Sequence, residues 1–237
     1  MSIFQFKHFS ILQKDSAMKI GTDAMIFGAL ISVEAKTNAL DIGTGTGVLS
    51  LMLAQKNKNL HISAIEIDEK ASLEAKFNVE NSSFKNQVEV IHSDFLLCDF
   101  TEKFDLIVSN PPFFEKSLKS SGKVESEQKN LARHTESLPF ESLLKKVSDL
   151  LKEEGDFWII LPVNAADKLI LIANHQRLYL KDEIAVYGKP NLLIRKIVCF
   201  SRIPIKHSTS SLLIRVNNND YSEDYKLLTI DFHNRKL

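Results

Sequence analysis

Residues 38–55 read NALDIGTGTGVLSLMLAQ, a short apolar run followed by three closely spaced glycines and a second apolar run. Residues 38–43 predict a strand that enters a glycine turn, and residues 47–55 predict the helix that follows. Glycines at such a junction permit a tight turn and let a ligand approach the backbone closely. The stretch therefore predicts a strand–turn–helix unit with a ligand site at the turn, although a plain connecting turn would show the same pattern.

Short apolar runs and helical patterns continue to alternate after this unit, which predicts parallel strands joined by crossover helices. Further strands are predicted at residues 61–68, 88–94, 104–110 and 156–162. Three more helices are predicted: one from its cap Asp68 to about Asn81, with Ala71, Ala75 and Phe77 on its buried side; one from Pro139 to Gly155; and one at residues 164–176, capped by Asn164. Residues 115–137 are polar and weakly periodic, so a long loop is predicted there.

The C-terminal part changes character, because three apolar runs follow one another with no helical pattern between them. They lie at residues 182–188, 192–202 and 211–216. Short connections of this kind favour antiparallel pairing. The predicted fold class is therefore α/β, with a doubly wound, mostly parallel sheet and an antiparallel C-terminal edge.

The composition is typical of a globular protein and indicates no particular binding partner. The 237 residues are 44% hydrophobic and 25% charged, and the net charge is zero, so a nucleic-acid surface would have to be local. Cys98 and Cys199 form no CxxC motif, and no run approaches the roughly 20 apolar residues that span a bilayer. No His/Cys cluster has metal-ligand spacing. We expect a cytoplasmic protein that uses no metal and no membrane.

Polar residues follow four of the predicted strands at the point where each ends: Asp41, Glu66, Asp94 and Asn110. Ligand crevices of open α/β sheets lie at the carboxyl ends of the strands. A carboxylate at Glu66 can accept from both hydroxyls of a ribose, and Asp94 can accept from an adenine amino group while the Phe95 ring packs on the base. Taken singly, Asp94 or Asp68 could instead be only a helix cap.

Residues 39–162 resemble the class I S-adenosylmethionine-dependent methyltransferases, and the G-x-G-x-G spacing departs from the G-x-G-x-x-G of dinucleotide sites. The resemblance implies that Asp41 and the glycine turn surround the methionine end of S-adenosyl-L-methionine. It implies that Glu66 holds the ribose, and that Asp94 with Phe95 holds the adenine.

The sequence NPPF at residues 110–113 ends the fourth strand of this unit. It resembles the (D/N/S)PP(Y/F) signature of methyltransferases that act on planar exocyclic nitrogens. The lone pair of such a nitrogen is delocalised, so two acceptors must hold its protons while the lone pair turns toward the methyl group. The Asn110 side-chain oxygen and the Pro111 carbonyl are the candidates, on a backbone that Pro111 and Pro112 stiffen. Phe113 would stack on the base, unless the motif is only a rigid strand terminator.

Motifs near both ends of the chain indicate a more specific family of methyltransferases. Residues 4–30, with AMKIGTDA at their centre, LARHT at 131–135 and YSEDYKLLT at 221–229 resemble the bacterial tRNA(Val) adenine-N6 methyltransferases. The resemblance implies that the substrate is an adenine beside the anticodon of tRNA. It also implies that residues 1–38 form a cap or lid on a catalytic domain at 39–237, with Lys19, Thr22 and Asp23 over the methionine end. Thr22 or Asp23 could instead cap the helix that follows.

The candidate site residues form two sets. The catalytic set is Asn110, Pro111, Pro112 and Phe113, and the cofactor-binding set is Lys19, Thr22, Asp23, Asp41, Gly43, Thr44, Gly45, Glu66, Ile67, Asp94, Phe95 and Asn110. Many members of the family carry tyrosine where this chain has Phe113, so any hydroxyl contact is lost there. His134 is more typical of a surface residue than of a catalytic base.

The sequence leaves alternatives for the role of the basic C-terminal region and for the substrate. Six Lys or Arg residues and no acidic residue lie between Ile184 and Asn219, which fits either a phosphate-binding patch or a charged sheet edge. Phe4, Phe6 and Phe9 are interpreted as packing residues. We expect a monomer that methylates tRNA; the alternatives are a protein glutamine N5-methyltransferase, an rRNA base N-methyltransferase and an RNA-binding module without turnover.

Overall fold

The computed structural model describes residues 3–14, 20–111 and 140–234. A two-stranded hairpin precedes an eight-stranded sheet that helices cover. The strands are β1 Ile3–Gln5, β2 Ser10–Leu12, β3 Asn38–Ile42, β4 His61–Glu66, β5 Val88–His92, β6 Phe104–Ser109, β7 Leu151–Leu161, β8 Tyr179–Lys189, β9 Leu192–Ser201 and β10 Ser208–Leu213. The helices are α1 Thr22–Leu30, α2 Val48–Lys56, α3 Glu69–Glu80, α4 Phe140–Leu150, α5 Val163–Ala173 and α6 Glu223–Thr229, with a 3₁₀ turn at Asn174–Gln176.

The large sheet has the order β10-β8-β9-β7-β6-β3-β4-β5. Among these strands β9 alone is antiparallel to its neighbours, β7 and β8. The predicted α/β fold with a mostly parallel sheet is therefore confirmed. The pairing prediction holds for β9 but is wrong for β10, which crosses over to lie parallel to β8 at the edge of the sheet.

Two hydrophobic clusters lie on opposite faces of the sheet, because successive strand residues point to opposite sides. On β6, Leu106 and Val108 belong to the first cluster, whereas Ile107 between them belongs to the second. α1, α2 and α6 pack against the first cluster, and α4 and α5 pack against the second. This two-sided burial explains why the parallel strands read as continuous apolar runs.

The N-terminal hairpin adds to the first cluster. Phe6 and Phe9 are buried with their ring centroids 4.4 Å apart, and Phe4 is partly buried beside Phe6. The interpretation of these phenylalanines as packing residues is confirmed. None of the helices in the described ranges combines the length and the apolar surface that a membrane span requires.

Three details of the predicted helices are wrong. Phe77 is 50% exposed on α3, because the buried side of this helix uses Ala71, Ala75 and Val79. α5 takes Pro162 as its N-cap, so Asn164 lies inside the helix. The helix predicted to end at Gly155 ends at Leu150, and β7 begins at once with Leu151.

Asp68 caps α3 as predicted, since its side chain accepts a hydrogen bond from the backbone N–H of Ala71. The predicted loop at residues 115–137 lies outside the described residues.

Candidate active site

The glycine turn joins β3 to α2 at the carboxyl edge of the sheet. The backbone N–H groups of Gly43 and Thr44 donate to the carbonyl of Ile65, at 2.9 and 3.1 Å. Gly43, Gly45 and Gly47 all have positive φ, at 72°, 57° and 79°, where a side chain would be strained. A Cβ added at Gly43 or Gly45 would meet no atom of the described residues within 4 Å, whereas one at Gly47 would lie 3.5 Å from Ala75 of α3. The first two glycines therefore face open space, and the third permits close packing on α3.

Asp41 lies under this turn and is 1% exposed. One of its oxygens, Oδ2, accepts hydrogen bonds from the hydroxyls of Thr44 and Ser50, both at 2.7 Å. Burial raises the pKa of Asp41 from 3.8 to about 6, and the two hydroxyl hydrogen bonds partly oppose that rise. Asp41 therefore lies at the turn as predicted, and two hydroxyl hydrogen bonds only partly compensate for the burial of its charge.

Glu66 connects the end of β4 to the turn. Its Oε2 accepts from the backbone N–H of Gly45 at 2.8 Å, and its Oε1 accepts from that of Asp68 at 3.0 Å. A carboxylate oxygen has two lone pairs, so each can accept one further hydrogen bond. The side chain of Ile67 beside it is 48% exposed and offers an apolar surface next to the carboxylate.

Asp94 and Phe95 lie beyond the end of β5 and differ in burial. Asp94 is half-buried, and its Oδ1 accepts from the backbone N–H of Leu96 at 2.8 Å. The Phe95 ring is 4% exposed, with the Lys146 ammonium 5.2 Å from its centroid and Phe100 on another side. The expectation that this ring packs on a base needs correction, because the core already covers its surface.

The strand β6 ends beside the glycine turn. Ile42 of β3 pairs in register with Ser109 of β6, and the Ser109 hydroxyl donates to the Ile42 carbonyl at 2.9 Å. Asn110 and Pro111 follow directly and are half-buried. The Asn110 side chain makes no hydrogen bond with any other residue of the described ranges. Its amide is therefore open to a ligand at the edge where the turn lies.

The registers align the four strand ends. Ile42 pairs with Ile65 on one side and with Ser109 on the other, and Glu66 pairs with His92 of β5. Since neighbouring strands lie roughly 4.8 Å apart, the ends of β6 and β5 are separated by about 14 Å. The polar residues that the sequence singled out thus share one edge.

The N-terminal candidates are only partly described. α1 begins at Thr22 with Gly21 as its N-cap, so the expectation that Thr22 or Asp23 caps this helix is wrong. Glycine occupies the extended cap position, which places Thr22 inside the helix. Asp23 accepts a hydrogen bond from Arg195 Nε at 2.9 Å. Lys19, Pro112, Phe113, His134 and the LARHT segment lie outside the described residues.

The basic residues between Ile184 and Asn219 are largely engaged within the chain. Arg195 pairs with Asp23, and Lys196 pairs with both Asp167 and Glu183. Arg202 donates to the Leu151 carbonyl, and Arg215 donates to the Asn219 carbonyl and lies 4.0 Å from the Tyr221 ring centroid. Lys189 and Lys206 are exposed. Four of the six cations therefore serve internal contacts, as a charged sheet edge would.

Two residues of the site were missed from the sequence. Ser50 donates to Asp41, and Asn78 of α3 donates to the Thr46 carbonyl in the turn at 2.9 Å. A serine or asparagine inside a helix carries no local signal of burial, so neither stood out. Across the described parts of the chain, no three His, Cys, Asp or Glu side chains are placed to hold a metal ion.

The sequence is similar to a known domain family and to named proteins. The family model "Methyltransferase small domain" matches residues 15–177. The chain is 42% identical over 232 residues to the tRNA1(Val) (adenine(37)-N6)-methyltransferase of Bacteroides thetaiotaomicron, covering 97% of this chain and 96% of that protein. It is 36% identical to the protein of the same name from Pseudoalteromonas translucida, with 98% and 99% of the two chains covered.

Solved structures support the fold independently of sequence. A protein from Agrobacterium tumefaciens described as a predicted O-methyltransferase has a TM-score of 0.68 at 15% identity, over 88% of this chain and 95% of that chain. A methyltransferase from Pyrococcus furiosus has a TM-score of 0.60 at 20% identity, over 83% and 90%. These similarities show a shared fold, and the full-length identities above show the family. The chain belongs to the bacterial tRNA1(Val) (adenine(37)-N6)-methyltransferase family.

Proposed function

We propose that this chain transfers a methyl group from S-adenosyl-L-methionine to the exocyclic N6 of adenine 37 in tRNA(Val), next to the anticodon. The observation that carries the proposal is the Asn110 amide, which makes no hydrogen bond within the described ranges and is held beside the glycine turn through the Ser109–Ile42 hydrogen bond. The substrate is taken from the names of relatives that align with nearly the whole chain. Because the proposed substrate is tRNA, we also propose a cytoplasmic location.

The residues at this edge fit the cofactor. Space over Gly43 and Gly45 admits a ligand close to the backbone, and the Glu66 oxygens keep lone pairs for ribose hydroxyls. Ile67 offers an apolar surface for the adenine, and Asp94 can accept a hydrogen bond from the adenine amino group. Asp41, Thr44 and the N-terminal residues Lys19, Thr22 and Asp23 would lie toward the methionine end. When bound, the cofactor supplies an electrophilic methyl group on a positively charged sulfur.

The chain's own part in transfer is orientation. The Asn110 side-chain oxygen and the Pro111 carbonyl accept hydrogen bonds from the two N–H groups of the amine, which directs its lone pair toward the methyl carbon. Pro111 has a fixed φ, so these acceptors are already in place when the base arrives. Phe113 holds the flipped base by stacking, as enzymes that act on extruded bases do. Asn110 is neutral, so it orients the protons without removing one. The nitrogen becomes acidic once it is alkylated and releases one proton to solvent, while the donor's sulfur would keep the electron pair of the broken bond to the methyl group.

Replacing Asn110 tests this role. In Asn110→Ala, methyl transfer should fall on the order of 100-fold or more, because preorganised hydrogen-bonding groups contribute that much to catalysis. Cofactor affinity, measured by calorimetry, should stay within about threefold since Glu66 and the turn are unchanged. Asn59→Ala, an exposed asparagine before β4 at the opposite edge, is the control. Undiminished transfer of a radiolabelled methyl group by Asn110→Ala would refute the assignment.

Two related substrates need their own test, because a protein glutamine carboxamide and an rRNA base present the same planar nitrogen. A labelling reaction in cell lysate separates the three. Label that ribonuclease removes and that migrates at tRNA size supports the proposal, whereas label in protein or in rRNA overturns it. Deleting the gene should abolish N6-methyladenosine in tRNA(Val), as nucleoside mass spectrometry would show.

A further inference from the structure

A buried amide on α3 contacts two separate segments of the site. Asn78 is 1% exposed. Its Oδ1 accepts from the backbone N–H of Leu12 at 2.8 Å, and its Nδ2 donates to the carbonyls of Leu12 and Thr46, both at 2.9 Å. The amide thus pairs with the backbone of β2 as a neighbouring strand would, and at the same time holds the peptide that precedes Gly47.

Neighbouring contacts extend this arrangement along the N-terminal chain. Glu74, one helical turn before Asn78, accepts from the backbone N–H of Lys14 at 2.8 Å. The Gln13 side chain accepts from the backbone N–H of Ile20 at 2.8 Å, two residues before α1. On the other side, Gly47 packs closely on Ala75 of the same helix. α3 is therefore the element that both the N-terminal segment at residues 12–14 and the glycine turn contact.

We propose that Asn78 is a positioning residue that couples the N-terminal segment at residues 12–14 to the glycine turn and thereby sets the geometry of the cofactor crevice. The inference rests on the proposed function, because the crevice in question is the one assigned to S-adenosyl-L-methionine. The Thr46 carbonyl lies between Gly45 and Gly47, which both have positive φ, in the part of the turn that leads into α2. A single amide restrains this peptide and the N-terminal chain together.

This coupling has a specific kinetic consequence. Without the Asn78 donors, the turn and the N-terminal segment are no longer held to each other, so a ligand must order both when it binds. Affinity for the cofactor falls. Asn110 follows β6 and depends on Ser109 and Ile42 instead, so turnover at saturating cofactor is preserved. Loss of Asn78 should therefore raise KM for the cofactor and leave kcat nearly unchanged.

The test compares two asparagines that make equivalent contacts. Asn78→Asp keeps the acceptor for Leu12 but replaces the donor by an oxygen that faces two carbonyls. Asn57→Asp is the matched control: Asn57 Nδ2 donates to the carbonyls of Val33 and Lys36 at the opposite edge of the sheet, and its Oδ1 accepts from Asn59. Each variant is measured for melting temperature, calorimetric Kd for S-adenosylhomocysteine, and kcat at saturating S-adenosyl-L-methionine.

We expect Asn78→Asp to raise Kd by 10- to 100-fold with kcat within about threefold, whereas Asn57→Asp changes Kd by less than twofold at a similar loss of melting temperature. An equal change of Kd in both variants, or a loss of kcat without a change of Kd, overturns the proposal. If Asn78→Asp does not fold, Asn78→Ser, which keeps one donor, serves in its place.

Hydrogen exchange in the free protein tests the coupling without any ligand. Asn78→Ala, which removes the acceptor as well as the donors, should speed exchange of the amides of both Leu12 and Gly47, whereas faster exchange in only one segment overturns the proposal. If the wild-type protein bound no cofactor, the proposed function would fail, yet the exchange rates would still decide whether Asn78 joins the two segments.

Discussion

Asp41 illustrates how a functional requirement acts on one side chain. Burial raises its pKa to about 6, even though the hydroxyls of Thr44 and Ser50 donate to it. The folded protein therefore binds a proton at Asp41 more tightly than the unfolded chain does. Keeping this carboxylate ionised at neutral pH costs about 3 kcal/mol of stability. A positively charged ligand in the crevice would offset that cost, which gives the residue a reason to be acidic.

The sign of this effect can be measured with Asp41→Asn. Between pH 4 and pH 7 the folded wild type loses a proton that the unfolded chain has already lost, so its stability falls as the pH rises. The asparagine variant has no such term. The free energy of unfolding of the wild type should therefore decline relative to that of the variant by up to about 3 kcal/mol across this range. Urea denaturation at several pH values checks it, and a difference that does not depend on pH would contradict it.

At the scale of elements, the junction between α4 and β7 shows where a periodic pattern misleads. Leu150 and Leu151 both fit the apolar side of a helix, yet Leu151 begins a strand and is buried there. Phe104 pairs with Leu151 and Leu106 pairs with Asp156, so residues 152–155 form an irregularity opposite a single residue of β6. A Cβ at Gly155 would lie 2.7 Å from Leu151 Cδ1 and 3.0 Å from the Lys152 carbonyl. Gly155 therefore marks a bulge and not a helix end.

Gly155→Ala should destabilise the protein by about 1–3 kcal/mol, since neither the buried leucine nor the backbone can move away easily. Gly188→Ala is the matched control in the β8–β9 hairpin, where the nearest atom to the new Cβ is the mobile end of Ile194 at 3.2 Å. We expect the control to lose less than half as much stability in urea denaturation. Equal losses would show that the Leu151 contact does not restrict this position.

At the scale of the whole molecule, two aspartates join strands by ion pairs at the edge of the sheet opposite the candidate active site. Asp156 accepts from Lys36 at 2.9 Å and from Lys181 at 2.7 Å, which joins the chain before β3 to β7 and β8. Asp105 accepts from both the backbone N–H and the hydroxyl of Thr37, and from Lys152 at 2.9 Å. Burial would raise the pKa of Asp105, but these hydrogen bonds outweigh it and lower the pKa to about 2. Ion pairs thus stabilise the edge of the sheet opposite the glycine turn, and the proposed ligand site lies at the other edge.

Removing Asp156 should affect the entire sheet. Asp156→Ala leaves two ammonium groups without their mostly buried partner, and we expect a loss of about 3 kcal/mol in the free energy of unfolding. Asp167→Ala is the control, because Asp167 is half-exposed and Lys196 keeps Glu183 at 2.7 Å; it should cost less than about 1 kcal/mol. Equal effects of the two substitutions in urea denaturation would argue against a structural role for the Asp156 cluster.

Local pattern in the sequence was enough for the strand–turn–helix unit at residues 38–56, for the cap at Asp68 and for the four polar strand ends. Each depends on residues close together in the chain: spacing of apolar residues, glycines at a junction, a polar residue where a run stops. Parallel strands then bring Asp41, Glu66, Asp94 and Asn110 to one edge as a matter of geometry.

Tertiary structure alone decided which side chains are covered and which strands pair. β10 lies parallel to β8, Phe95 packs into the core, and Asn78 reaches Leu12, 66 residues away. Each outcome depends on partners distant in sequence, and the same short pattern is compatible with either a buried or an exposed environment. Burial and long-range hydrogen bonding are properties of the assembled molecule, so they could not be read from any single stretch of this chain.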